Sequence, residues 1–530
     1  MQPDPSIDVL VIEDLGQQRL PARRLVAVLR RAGMSAQLAH FGAGDDPAGI
    51  VALARREQPR LIVLSILFAH LVAENLSLAA YLHTAGITAH ITMVGSLPTF
   101  AYAALLEACP ALDSVLCGEA EASLTQLATG LPDLGDWHSV PGLAYRSPAL
   151  CTNPLPRPVS DLDELPFPAR DDGISTRLGF GFVTLEASRG CYHACAFCLP
   201  CAFYRAHTAP AYRLRSIPHL VAEIEALYQR GVRLFLFDDE QFLAPGRRRT
   251  QRIQALADQL ERRGLDIAFS IKCRADDVAE VLFRQLKAMG LVRVYLGIES
   301  GCQASLNLLD KGITADCNAR ALALLDKLGI VADFRCLLFH PWSALEMIQA
   351  DVEFLEQVLP HVSTPFTFHE VECYPGTPLA ERLRAEGARS EERGKDARRP
   401  SANGCFERFD KDFRLIYTIA DRRAELLRRL GRVVFRVRNM GGGIPSQLSQ
   451  AWYDILLERR FRPDRFAASK ALTLKDITTR LNRESLAVWR EMLSFAGEGD
   501  LYDAGRVNEQ ASGWASRVNA FDLTIEEELF

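Results

Sequence analysis

The chain is 530 residues long, 48% hydrophobic and 24% charged, with a net charge of -5. That length suits about three domains with sizeable cores, and the mild acidity gives no basic footprint for nucleic acid. The longest apolar run, Leu61 to Ala73, is too short to span a bilayer and contains Ser65 and His70. The start, Met-Gln-Pro-Asp-Pro, lacks the basic and apolar regions of a signal peptide.

In chain order, strands are expected at Ile7–Ile12, Ala36–His40, Leu61–Ile66, Ile91–Gly95 and Ser114–Cys117, with helices at Arg19–Gly33 and Pro47–Glu57. Such alternation over residues 1–135 predicts a doubly wound, Rossmann-like parallel sheet. Its ligand would lie at the carboxyl ends of the strands, in Glu13–Gln18, Ser65–Leu71, Gly95–Phe100 and Cys117–Ser123. Residues 136–175 are rich in proline and turn formers and read as a linker with a small hairpin.

A second alternation fills residues 176–390. Strands are expected at Phe182–Ala187, Leu234–Phe237, Ile267–Lys272, Val292–Ile298, Val331–Leu338 and Pro365–Val371. Ser216 caps the helix after the first of them. Six strands with intervening helices predict a partial (β/α)6 barrel, whose working face is the carboxyl end of the strands. Glu386–Asn403 is charged and loop-like. Residues 404–530 read as a mostly helical domain capping the barrel, with helices near Ile416–Gly431, Gln447–Phe461 and Arg483–Phe495.

Thirteen is an odd number of cysteines, so a complete disulfide framework is excluded. Cys109, Cys117, Cys151, Cys273, Cys302, Cys317, Cys336, Cys373 and Cys405 share no spacing and are expected to pack as small hydrophobes. The run Cys191-Tyr-His-Ala-Cys195-Ala-Phe-Cys198 differs, because it places three thiolates on one tight loop after the first barrel strand. Three thiolates can hold three corners of an iron–sulfur cube, leaving one iron open to a small molecule. Zinc is the alternative, with His193 or Cys201 as fourth ligand. Free thiols and a reducible cluster fit a reducing cytoplasm.

The cysteine run, with Phe197 before its third cysteine and Ala187-Ser188-Arg189-Gly190 ahead of it, resembles the signature of radical S-adenosylmethionine (SAM) enzymes. Phe235-Leu-Phe-Asp238-Asp239-Glu240, Arg274-Ala-Asp276, Gly297-Ile-Glu299-Ser300-Gly301 and Tyr374-Pro-Gly-Thr-Pro are similar to later stations of that barrel. The amino-terminal domain and the connector Asp161-Leu-Asp-Glu-Leu-Pro-Phe-Pro-Ala-Arg170 resemble the subgroup that carries a cobalamin-binding domain.

The resemblance implies three cofactors: a 4Fe-4S cluster on Cys191, Cys195 and Cys198, SAM, and cobalamin. It implies SAM cleavage to a 5′-deoxyadenosyl radical, hydrogen abstraction from an unactivated carbon, and methyl transfer from methylcobalamin to a natural-product or peptide intermediate. SAM would be held by Phe197, Asp238, Asp239, Arg274, Glu299 and Ser300. Cobalamin would be held by Asp14, Leu15, Ser65, His70, Gly95, Ser96, Cys117, Gly118 and Glu119. The usual Asp-x-His-x-x-Gly is absent, and Asp14-Leu-Gly16 stands in its place without a histidine.

Tyr204, His340, Trp342 and His369 are substrate candidates. A reductant such as flavodoxin or ferredoxin is an expected partner, and neither nucleic acid nor membrane is. Two alternatives stay open: the same chemistry used for cyclisation, rearrangement or oxidation without net methylation, and a sensor that binds cobalamin or metal without catalysis.

Overall fold

A computed structural model describes the chain apart from residues 1–6, 14–19, 43, 132–136, 172, 208–209, 392–408, 437, 439–442, 499–503 and 530. The chain divides into two compact bodies. The first comprises Met1–Ile174, Thr184–Glu223 and Glu372–Ile416; the second comprises Ser175–Val183, Ile224–Val371 and Tyr417–Phe530.

The first body opens with five strands, β1 (Val9–Glu13), β2 (Ala36–His40), β3 (Leu61–Ser65), β4 (His90–Val94) and β5 (Ser114–Leu116). Between and after them run α1 (Leu20–Arg31), α2 (Ala48–Glu57), α3 (Val72–Thr84), α4 (Ser96–Ala108) and α5 (Glu121–Gly130). The strands pair in parallel in the order β2-β1-β3-β4-β5. Alternation in β1 explains the double winding. Leu10 and Ile12 enter one apolar core, and Val9 and Val11 enter the core on the other face.

The hairpin β6 (Leu143–Arg146) and β7 (Leu150–Thr152) is no free-standing linker element. It extends the sheet antiparallel to β5, making seven strands. After β8 (Ser175–Arg177) and β9 (Phe180–Leu185), the first body resumes with β10 (Ser188–Gly190), α6 (Leu199–Arg205), β11 (Tyr212–Leu214) and the start of α7 (Ile217–Gln229). Ser216 caps α7 as expected, its hydroxyl accepting from the His219 amide at 3.2 Å.

The second body holds β12 (Val232–Phe237), α8 (Arg248–Arg262), β13 (Ala268–Arg274), α9 (Glu280–Met289), β14 (Leu291–Gly297), α10 (Gln303–Leu308), α11 (Ala315–Lys327), β15 (Val331–Asp333), β16 (Cys336–Phe339), α12 (Leu345–Val358) and β17 (Phe368–Glu370). Its main sheet runs β15-β14-β13-β12-β9-β8, and β16 pairs in parallel with β17. The fifth expected strand, Val331–Leu338, is therefore two strands broken at Phe334 and Arg335. A parallel bridge between Glu299 and Cys336 carries the wall across that break.

After α13 (Pro378–Glu391) in the first body come α14 (Arg422–Val434), α15 (Ile444–Phe461), α16 (Ala468–Gly497) and α17 (Ala504–Leu529) in the second. They do more than cap. Leu448 and Trp452 of α15 share a core with Leu234, Ala268, Val292 and Val331, which lie early in their strands, so this helix closes the amino-terminal end of the barrel. Among the described residues, no helix is long and apolar enough to cross a membrane.

Candidate active site

The cysteine loop begins where β10 ends. Gly190 has φ +80, and a Cβ there would lie 1.8 Å from the Ala211 carbonyl oxygen, so the chain can turn here only as glycine. Cys191 and Cys195 are buried and Cys198 is half-buried. The His193 amide donates to the Cys191 Sγ at 3.5 Å. On the first turn of α6, the buried Cys201 thiol hydrogen-bonds Cys191 and Cys198, which pushes its own pKa far up. The described residues hold no group of three ligating side chains gathered around a single ion; a cubane takes each thiolate at a separate corner and does not need that convergence. Backbone N–H on sulfur and a mostly buried setting fit a cluster.

Buried charge fastens this loop to the seven-stranded sheet of the same body. Arg189 bonds Glu121 at 2.6 Å, Glu119 at 3.3 Å and Glu186 at 3.2 Å. Across the β10–β11 ladder, its partner Arg213 also pairs with Glu119. Arg24 of α1 also pairs with Glu186, at 2.7 Å. Burial alone would raise the Glu121 pKa, but the Arg189 charge and hydrogen bond, with Arg24 behind, hold it below the usual carboxylate range. Apolar contact adds to the clamp, since Leu199 of α6 lies in the same core as Leu97 and Ala101 of α4.

The cobalamin candidates therefore split. Gly95 has φ +139, and a Cβ would meet the Ile66 carbonyl oxygen at 2.1 Å. With half-buried Ser65 and Ser96, it forms a bare backbone edge at the carboxyl ends of β3 and β4. Such an edge fits the close approach of a large cofactor. His70 is exposed and stacks on Phe68, the ring centroids 5.6 Å apart. Gly118 is buried, its amide donating to Thr99 Oγ1 at 2.9 Å. Cys117 is buried and its thiol is pushed up to about 12, so it behaves as a core residue. Glu119 is a member of the clamp, not a free ligand, because both its oxygens are taken by arginines. Asp14 and Leu15 lie outside the described residues.

In the second body the SAM candidates divide in the same way. Asp238, at the end of β12, is about one-third exposed and pairs with Lys272. Asp239 is only 1% exposed. Glu299 has φ +64, an uncommon conformation for a non-glycine residue. Its carboxylate pairs with Lys311 at 2.9 Å, and its carbonyl accepts from Leu337 at 2.6 Å. The neighbouring groups hold this turn from inside. Asp351 of α12 accepts from Ser300 Oγ at 2.6 Å, the Gly301 amide at 2.6 Å and the Cys302 amide at 3.0 Å. Asn318 donates to the carbonyls of Ile298 and Ser300, each at 3.0 Å. Ser300 is thus fully buried scaffold. Arg274 is also scaffold, since its guanidinium is buried on Asp276 and on the Lys311 carbonyl at 2.7 Å. Phe197, in the first body, is half-buried on the cysteine loop.

Of the substrate candidates, His340 is fully buried, its Nε2 3.1 Å from Ser305 Oγ and its Nδ1 accepting from the Trp342 amide at 3.2 Å. It is a satisfied core histidine, and Trp342 is half-buried beside it. Tyr204 is half-buried, its ring under Arg213. His369 is half-buried on β17. Sequence reasoning missed Lys311, Asp351 and the arginines of the clamp.

A B12 binding domain matches residues 18–128, and a Radical SAM superfamily domain matches residues 185–349. An uncharacterized methyltransferase, PH0819 of Pyrococcus horikoshii, is 28% identical over 302 residues, covering 55% of this chain and 62% of that protein. The anaerobic magnesium-protoporphyrin IX monomethyl ester cyclase of Rubrivivax gelatinosus is 30% identical over 259 residues, 46% of this chain and 44% of its own. The matches thus span less than two thirds of either relative's length. Among solved structures, the cobalamin-dependent SAM radical enzyme OxsB, with aqua-cobalamin and SAM bound, superposes with a TM-score of 0.66 at 20% identity, covering 97% of this chain and 84% of that one. Cobalamin goes with the first domain, and a 4Fe-4S cluster with SAM goes with the second. The chain is a B12-binding domain joined to a radical SAM domain, with the fold of the cobalamin-dependent radical SAM enzymes.

Proposed function

We propose that this protein transfers a methyl group to an unactivated carbon of a small-molecule or peptide intermediate. The observation that carries this reading is the clamp in the first body. There Arg189 and Arg213 tie the loop of three cysteines to the carboxyl edge of the B12-type sheet. Fastening two cofactor-bearing segments together through buried charge suits a reaction in which both act on one substrate. When bound, the reduced cluster supplies the electron that cleaves SAM, and cobalamin supplies the methyl group.

The chain's own residues bind, orient and exclude water. Cys191, Cys195 and Cys198 hold the cluster on its buried loop. Glu299, its backbone fixed by Leu337 and its carboxylate paired with Lys311, accepts hydrogen bonds from SAM. Asp238 offers a second carboxylate for the SAM amino group. Flavodoxin or ferredoxin supplies the reducing electron.

The likeness to the Rubrivivax cyclase favours a second reading, ring closure without net methylation. Anaerobic reconstitution with SAM and a strong reductant separates the two. Methylation predicts 5′-deoxyadenosine together with a product heavier by one methyl group. 5′-Deoxyadenosine with an unmethylated product establishes the second reading. A fully loaded protein that never cleaves SAM, with candidate substrates present, refutes both. Cys195→Ala is expected to abolish iron retention and keep cobalamin uptake, read from the visible spectrum.

A further inference from the structure

Among the described residues, most carboxylates along the barrel wall of the second body are paired with a cation. Asp238 pairs with Lys272, Glu299 with Lys311, Asp333 with Arg293, and Glu370 with Arg428 and Arg432. Arg335, in the break between β15 and β16, is exposed and makes no ion pair or hydrogen bond among the described residues. Its charge acts on two neighbours, Tyr295 and His369.

Strand register explains why these three meet. Tyr295 of β14 is paired with Asp333, and His369 of β17 is paired with Leu337. Arg335 stands in the break, two residues from each of those rows, and its charge is felt at both side chains. Tyr295 is 37% exposed. Neither its hydroxyl nor the His369 ring is hydrogen-bonded to a described residue. Burial, then Arg335, lowers the His369 pKa to about 4 against the pull of Glu370, so the ring is neutral near pH 7. Burial raises the Tyr295 pKa, so its hydroxyl stays protonated.

We propose that Arg335, the Tyr295 hydroxyl and the His369 ring form an oxyanion subsite for a carboxylate or phosphate group of the substrate. The planar guanidinium offers two parallel N–H groups to such an anion. The tyrosine and histidine each add one donor without adding charge. Lys272 cannot play this part, because Asp238 neutralises it. The proposal rests on the enzymatic reading above in one respect only, that the anion belongs to a substrate.

The test uses the full chain, reconstituted anaerobically with cluster and cobalamin. It is titrated with inorganic phosphate and, separately, with glutarate, following the melting temperature. A saturable rise with either anion is expected, and which anion acts distinguishes phosphate from carboxylate. Arg335→Gln is expected to raise the half-saturating concentration at least about tenfold, and Arg335→Lys, which keeps charge but loses the fork, by less. If Arg335→Gln fails to fold, Tyr295→Phe and His369→Asn carry the test, each weakening the response about threefold or more. A wild-type protein indifferent to both anions, or variants that respond as wild type does, would overturn the subsite. So would a tenfold loss of SAM affinity in Arg335→Gln by equilibrium dialysis, since the anion would then be SAM's own carboxylate. Failure of the wild type to cleave SAM sinks the enzymatic reading and leaves the anion titration standing.

Discussion

The turn after β10 and the turn after β14 both present candidate ligands, and they are held by opposite means. Arg189 fixes the first through full charges, meeting three carboxylates at a nearly dry site. Asp351 fixes the second by accepting three hydrogen bonds on one oxygen while its other oxygen has no partner. Burial pushes that carboxyl up to about 7 against those three bonds. Buried ion pairs add little over well-packed apolar groups, yet removing one partner alone is costly. A clamp of charges therefore tolerates few alternative geometries. A carboxyl near its titration point tolerates more.

Breaking the ionic clamp gives the largest expected effect. Arg189→Met strips Glu121 of the partner it meets at 2.6 Å, while Glu119 keeps Arg213 and Glu186 keeps Arg24. The loss should be about 3 kcal/mol, near the lower end for an orphaned buried charge, read as an earlier urea transition and lower iron content. Adding Glu121→Gln removes the orphaned charge and should recover more than half of that loss. If the clamp sets geometry, the double variant will still form more 5′-deoxyadenosine per product than wild type does. Full recovery of both stability and coupling would mean that Arg189 is ordinary scaffold.

Local signals made the parallel sheet, the six barrel strand positions and the cysteine loop legible. Runs such as Leu61–Ser65 are apolar throughout, and the three cysteines fall within eight residues. The clamp was not legible, because Glu119 and Arg213 are 94 residues apart and each alone resembles surface charge. Within the helical carboxyl-terminal domain, α17 was not singled out, for a related reason. Its buried stripe, Ala511, Trp514, Val518, Asp522 and Ile525, is interrupted by an aspartate that Arg438 neutralises at 2.5 Å. Asp351 did leave a signal: it stands among Ile348, Val352 and Leu355 on the inward face of α12, where an unaccompanied carboxylate marks a buried network. His340 misled in the other direction, because a histidine at a strand end looks the same whether it faces a cavity or the core.

Packing offers a middle-sized test of the second turn. A Cβ on Gly301 would sit 2.1 Å from the Phe354 ring. Gly301→Ala should therefore cost about 1–3 kcal/mol through overpacking, and Gly301→Ala with Phe354→Leu should regain part of it. A cost confined to SAM affinity, with stability unchanged, would show that the turn yields more readily than its contacts suggest.

Asp351→Asn gives the smallest change in stability and the sharpest reading of the contrast. The folded pKa of about 7 lies above the ordinary aspartate value, so between the two the folded protein holds a proton that the unfolded chain has lost. Stability from this group is complete below the unfolded value, declines as pH rises from about 4 toward 7, and levels off above. The amide keeps an acceptor for Ser300, Gly301 and Cys302 but cannot titrate. At pH 5.5 the variant should fall within about 1 kcal/mol of wild type, because it resembles the protonated carboxyl. From pH 5 to 7 the wild type should lose stability that Asp351→Asn retains, and a falling SAM affinity should follow the same curve in wild type alone. Parallel pH profiles for the two proteins would show that the Asp351 proton plays no part in holding Glu299 in place.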